Sequence, residues 1–242
     1  SLTVKHCFFY RHHDAIGFFI IGALGYLVKC PDGFNAIAKK TYAHWLWIAG
    51  RSLAKLADKA PPSDGLKWSQ LLKSVQEIRL EVFEAARLFF EQLYDMVFEN
   101  VSVADYGFRS TSLRLPLTGD SYEMLLDNGR RCCILLHEFA NAVRACTELM
   151  EMWALSEEAW AGLVRDTANI GLEGESLAGE LAFVLENSDQ DYVCWAEIEI
   201  NSRSANRNCS LNAAPVDVGS LLYERLFKIK DTVILTSATL TV

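Results

Sequence analysis

Long uncharged runs, prolines, paired cysteine motifs and low-complexity linkers are scarce in this chain of 242 residues. The one stretch that invites a membrane reading, AIGFFIIGALGYLV (Ala15–Val28), is 14 residues long. A helix needs about 20 apolar residues to cross a bilayer. It contains Gly17, Gly22 and Gly25, and Lys29, Cys30 and Pro31 follow it in place of a small-residue cleavage site. Neither a membrane span nor a secretory signal is expected; a core or docking segment is. No Cys-x-x-Cys occurs, and the seven cysteines (7, 30, 132, 133, 146, 194, 209) are odd in number and irregular in spacing. That pattern predicts reduced thiols in a cytoplasmic chain, some simply buried. His6, Cys7, His12 and His13 cluster locally, but adjacent histidines rarely share one ion, so no metal is expected there. Five prolines and no Pro/Gly-rich linker leave no obvious domain boundary.

What the chain does have is apolar content and acid. Apolar residues make up 51%, enough for a core, and charged residues 22%. The net charge of −8 is uneven: residues 1–60 hold eight Lys/Arg against three Asp, and the rest is acidic. An acidic body argues against nucleic acid wrapping the whole surface. The basic first quarter leaves room for a local contact, although a solvated face is the plainer reading.

Periodicity predicts a mainly α protein. The alanine- and lysine-rich stretch after Gly33 reads as helix as far as about residue 60, broken at Gly50. Pro61-Pro62-Ser63-Asp64-Gly65 is a turn with helix-starting chemistry. Trp68, Leu71, Leu72, Val75, Ile78, Val82, Ala85, Ala86, Phe89, Phe90, Leu93 and Val97 then recur at three- and four-residue steps. They predict a helix of about 30 residues, some 45 Å long. Residues 101–117 read as a short extended element or hairpin. A second long helix opens at Gly119-Asp120, with Asn128-Gly129 as a candidate interruption, and a third covers about 157–187. Toward the end, Tyr192–Ile200 and Cys209–Ala213 read as strands and Val216–Phe227 as a helix. Thr232–Thr236 reads as a strand covered on both faces of a parallel sheet.

The end of the chain carries the most specific signal. Asp189, Asp191, Tyr192, Val193 and Trp195 precede Leu211, Ala213, Ala214, Pro215, Asp217, Val218, Leu222, Leu226 and Phe227, which run into Val233–Leu240, VILTSATL. This string resembles the DinG branch of the superfamily 2 DNA helicases, relatives of XPD. The helical stretch 66–187 is compatible with the middle region of that family, and residues 1–60 carry no signature. The resemblance implies an elongated, arch-like helical insertion over residues 1–190, with 1–60 poorly assigned. It also implies a small α/β remnant of a RecA-like motor domain over 191–242. Thr236, Ser237, Ala238 and Thr239 would be the motif that couples ATP hydrolysis to DNA movement, their hydroxyls bonding a catalytic acid box elsewhere in the parent protein.

The same resemblance defines what is missing. No Gly-x-x-x-x-Gly-Lys-Ser/Thr loop, Asp-Glu-Ala-His box, iron–sulfur cysteine set or arginine motif is present. The chain therefore reads as a piece of an ATP-dependent DNA helicase, with ATP and magnesium belonging to the parent protein. No cofactor is expected on the piece itself, and no ATPase activity from it alone. Lys39, Lys40, Trp45 and Arg51 mix cations with an aromatic ring and are candidate contacts to single-stranded DNA. The plain alternative is a core tryptophan among solvated lysines. A different class also fits: a helical protein-interaction module with no nucleotide or DNA chemistry.

Overall fold

The computed structural model describes residues 36–38, 49–52, 56, 61, 63–100, 110–153, 158–186, 191–199 and 209–229. The chain groups into two units. One comprises residues 36–188 and 194–212, and the other residues 1–35, 189–193 and 213–242.

The architecture is mainly helical. Three long helices dominate the first unit: α1 (Gly65–Glu99), α2 (Asp120–Met152) and α3 (Glu158–Glu186). Each falls where the apolar periodicity predicts it. At 35 residues α1 is longer than expected, about 50 Å at 1.5 Å per residue. The Asp64 carbonyl starts it by accepting the Trp68 N–H at 2.8 Å. Asn100 closes it, its side-chain amide donating to the Met96 carbonyl at 2.8 Å. Helix α2 starts after Gly119, whose φ of +117° suits a residue without Cβ. Asp120 and Glu123 in its first turn complement the positive end of the helix dipole.

A four-stranded sheet accompanies the helices, in the order β1 (Ala36–Ala38), β4 (Cys209–Pro215), β3 (Tyr192–Glu199), β2 (Ser110–Leu115). β2 pairs antiparallel with β3, Leu113 opposite Ala196 and Arg114 opposite Trp195. β1 pairs antiparallel with β4, Ile37 opposite Leu211. The strands alternate as a half-buried sheet should: Cys194, Ala196, Ile198, Cys209 and Leu211 are buried, whereas Trp195, Glu197, Ser210 and Asn212 between them are half-exposed.

Three expectations change. Residues 36–38 are strand, not the start of a helix, because ladder hydrogen bonds to β4 outweigh a helix preference worth well under ~1 kcal/mol per residue. Residues 49–52 are helical straight through Gly50. Its missing Cβ leaves room for the Arg79 guanidinium, whose carbon would lie 3.0 Å from a Cβ there. Helix α2 runs unbroken through Asn128-Gly129. The predicted strand Thr232–Thr236 and the apolar run Ala15–Val28 lie outside the described residues. The described sheet is antiparallel in the pairings above, so it does not itself display the parallel motor sheet that the resemblance implies. Among the described residues no helix is long and apolar enough to cross a membrane.

Gly129 is buried in α2 and faces side chains of both α1 and α3. A Cβ there would overlap Leu185 Cδ1 of α3 and lie 3.2 Å from Phe89 of α1. Antiparallel pairs fix the helix register around it. Asn128 donates to Gln92 across α1 and α2 at 2.7 Å. Arg130 meets Glu186 at 3.2 Å, and Arg144 meets Glu175, across α2 and α3. These ion pairs are exposed and screened by solvent, so they contribute little to stability. The core supplies the bulk, led by Trp68, Phe89, Phe90, Leu93, Leu125 and Phe139.

At one end of the bundle three tryptophans meet. Trp68 and Trp153 pack edge to face with ring centroids 4.9 Å apart, and Trp160 lies 5.6 Å from Trp153. Each indole N–H finds an acceptor: Trp68 the Leu56 carbonyl, Trp153 the Asp64 carboxylate at 3.0 Å, Trp160 the Met150 carbonyl. Asp64 thus spends its side chain on Trp153 and makes no side-chain cap to α1. Among the described residues one buried side-chain group is left over: the Tyr122 hydroxyl has no partner there.

Gly129→Ala tests the close approach. Overpacking a filled core costs about 1–3 kcal/mol, more than the ~1 kcal/mol of helix propensity that alanine returns. The expected net loss is up to about 2 kcal/mol, read as a lower urea midpoint at unchanged slope. A midpoint equal to or above the wild type would show that Leu185 gives way freely.

Candidate functional site

The residues that carry the helicase resemblance are partly in view. Tyr192, Val193 and Trp195 lie on β3, and Leu211, Ala213, Ala214 and Pro215 on the adjacent strand β4. Just beyond the strands, the Val216 N–H donates to the Asp191 carbonyl at 2.7 Å. The residue preceding β3 therefore meets the residue following β4, as in an antiparallel pair. Pro215 ends the ladder because it has no N–H to give.

Asp217 then starts a helix. Its backbone is extended, and one carboxylate oxygen accepts the N–H groups of Gly219 at 2.9 Å and Ser220 at 3.3 Å. The Ser220 hydroxyl donates to the other oxygen. These bonds, that of the Ser220 hydroxyl foremost, hold the Asp217 carboxyl below its ordinary range. This is an N-cap, the role expected for an aspartate preceding an apolar helix. The helix α4 (Val218–Leu222) passes directly into a π-helical turn, Tyr223–Phe227, where the Lys228 N–H reaches back to the Tyr223 carbonyl at 2.9 Å. Sequence patterning predicted one helix here without the change of winding.

Thr236, Ser237, Ala238 and Thr239, the predicted coupling residues, lie outside the described residues. So do Lys39, Lys40 and Trp45. Of the candidate nucleic-acid contacts only Arg51 is described, exposed in the helical residues 49–52. His6, Cys7, His12 and His13 are also outside. Among the described residues, no three His, Cys, Asp or Glu side chains are placed to hold a metal ion.

The described cysteines are free thiols. Burial pushes Cys133 up to about 11 and Cys146 up to about 12, so both stay protonated and unreactive near neutral pH. Cys133 donates to the Ala178 carbonyl at 3.5 Å and lines a pocket of about 290 Å³ between α2 and α3. A pocket of similar volume lies between α1 and α2, bounded by Leu80, Glu81, Leu88, Asn128 and Arg131 among others. Sequence reading missed it. The available signal was that Leu80 and Leu88 fall off the buried stripe of α1.

Comparison with known proteins bears on the same reading. A stretch of 123 residues, half of this chain, is 30% identical to a protein of Bacillus subtilis (strain 168) named 3′-5′ exonuclease DinG. The match spans 13% of that protein's length. No family model matches the chain. The likeness is to a DinG protein, in agreement with the resemblance drawn from the terminal string.

The Asp217 cap has a pH signature. Its folded carboxyl is depressed, so the cap stabilises α4 fully above the ordinary carboxylate pKa. That stabilisation is lost as the pH falls through the lowered value. Amide exchange at Gly219 and Ser220 should accelerate over that acid range in the wild type. In Asp217→Ala both amides should be less protected than in the wild type above that range and equally protected below it, with no acid transition. An unchanged exchange profile in Asp217→Ala would remove the cap.

Proposed function

We propose that this chain is a piece of a DinG-type, XPD-like, ATP-dependent DNA helicase. Its helical body serves as the accessory arm, and Thr236–Thr239 as the motif coupling nucleotide hydrolysis to movement along DNA. The observation that carries this reading is the terminal string from Asp189 to Leu240, supported by the 30% identity to a DinG protein over half the chain. Small hydroxyl side chains at the end of a strand, where the sequence alone predicts them, suit the coupling role. They are short enough to sit under a catalytic carboxylate and can both donate and accept hydrogen bonds. In the parent protein, phosphoryl transfer to water with magnesium would drive domain closure, and 191–242 would belong to the first RecA-like domain. The exonuclease activity named for the relative is assigned to no residue of this chain, whose sequence offers no carboxylate set for two-metal chemistry.

Two measurements test the coupling role. The isolated 242-residue chain should hydrolyse no ATP, with or without magnesium and single-stranded DNA. In the parent protein, Ser237→Ala with Thr239→Ala should leave DNA-stimulated ATP hydrolysis within a few-fold of wild type and lower strand displacement by about tenfold or more, a loss of roughly 1.4 kcal/mol in coupling. Parallel loss of both activities, or of neither, would refute the assignment.

The basic first quarter is proposed as a single-stranded DNA contact through Lys39, Lys40, Trp45 and Arg51. Binding should fall steeply between 50 and 200 mM salt, as phosphate contacts release counterions. Lys39→Glu/Lys40→Glu should abolish it. Salt-insensitive binding, or none at low salt, would instead favour the helical protein-interaction module.

A further inference from the structure

We propose that the face around the α1–α2 pocket is a two-fold interface to a second copy of this chain, an inference independent of the helicase reading. Three observations on that face fit together. First, it presents projecting apolar groups beside a cavity: Leu80 and Leu88 are 54% and 50% exposed, and both border the pocket of about 290 Å³. Second, Glu81 of α1 and Arg131 of α2 line the same pocket, yet neither makes an ion pair or hydrogen bond among the described residues. Third, the arrangement is self-complementary.

An isologous interface requires that residue i of one copy meet residue j of the other, and j meet i. Leu80 and Leu88 lie one helical turn either side of Glu84, on one face of α1. A two-fold axis passing near Glu84 therefore sets Leu80 of each copy against Leu88 of the other. It offers each Arg131 the unpaired Glu81 across the interface. The axis itself carries no bare charge, because Glu84 is held by Arg87 at 3.0 Å. Apolar projection, receiving cavity and both signs of unpaired charge all occur on one patch, which is what self-association needs.

The test is sedimentation of the 242-residue chain at up to about 100 μM, which reveals a dimer of micromolar Kd. Glu81→Arg and Arg131→Glu each place like charges at both reciprocal contacts and should weaken the dimer by about tenfold or more. Mixing the two singly substituted chains restores opposite charges at both contacts and should recover the dimer as a heterodimer. The doubly exchanged chain, Glu81→Arg with Arg131→Glu, should recover it alone. Circular dichroism confirms that each variant keeps its helices, and the doubly exchanged chain carries the test should a single substitution fold poorly. A wild type that stays monomeric throughout overturns the proposal. So does a dimer indifferent to the single exchanges, or one that neither mixing nor double exchange restores.

Discussion

The close approach of three helices at Gly129 is the constraint on which the bundle depends. Leu185 and Phe89 converge on a backbone with no side chain, so both side chains occupy the space that a Cβ on α2 would take. Phe89, Leu93, Leu125 and Phe139 fill the core around the helices, and the Asn128–Gln92 bond joins α1 and α2 beside Gly129. Interior packing at crystal-like density transmits such local limits along an element. A helix of 33 residues accepts one glycine at a cost of about 1 kcal/mol in propensity when the gain is this contact.

Polar groups at the edge of the core are handled with few exceptions. The tryptophan end satisfies all three indole N–H groups, one of them by diverting Asp64 from capping its own helix. The Cys209 thiol donates to the Phe90 carbonyl at 3.2 Å, tying β4 to α1. Among the described residues Tyr122 is the exception. Burial, with smaller contributions from Cys194 and Glu123, raises its pKa, so the hydroxyl stays neutral and its desolvation is uncompensated.

Much of this architecture is written in periodicity. The stripes of α1, α2 and α3 are long and regular, and their positions agree with the structure to within about two residues, the usual uncertainty of helix ends. Alternation exposed β3 and β4 equally well. The misreadings share a cause. Local propensity alone favours helix at Ala36–Ala38 and a break at Gly129, whereas strand pairing and a contact with two other helices decide their structure. Both depend on partners distant in sequence. The candidate site was legible in a different sense. Asp217 as a helix starter could be read from its neighbours, and the terminal string pointed to a family through residue identity. Hydroxyls at Thr236–Thr239 are read from identity too, since three small polar residues after an apolar run have no periodicity to interpret. The α1–α2 pocket escaped notice because two off-stripe leucines look like ordinary surface until both helices are seen together.

The winding change after Leu222 carries one more implication. A π turn closes its hydrogen bond over one more residue than an α turn, and the Lys228-to-Tyr223 bond does so here. The segment Tyr223–Phe227 therefore stores a single surplus residue at a helix end. Natural relatives one residue shorter in this stretch could keep the same strand-to-helix entry, with Asp217 in place, by reverting to ordinary winding. An alignment gap placed between 223 and 227 would then mark a harmless length variation, not a lost contact.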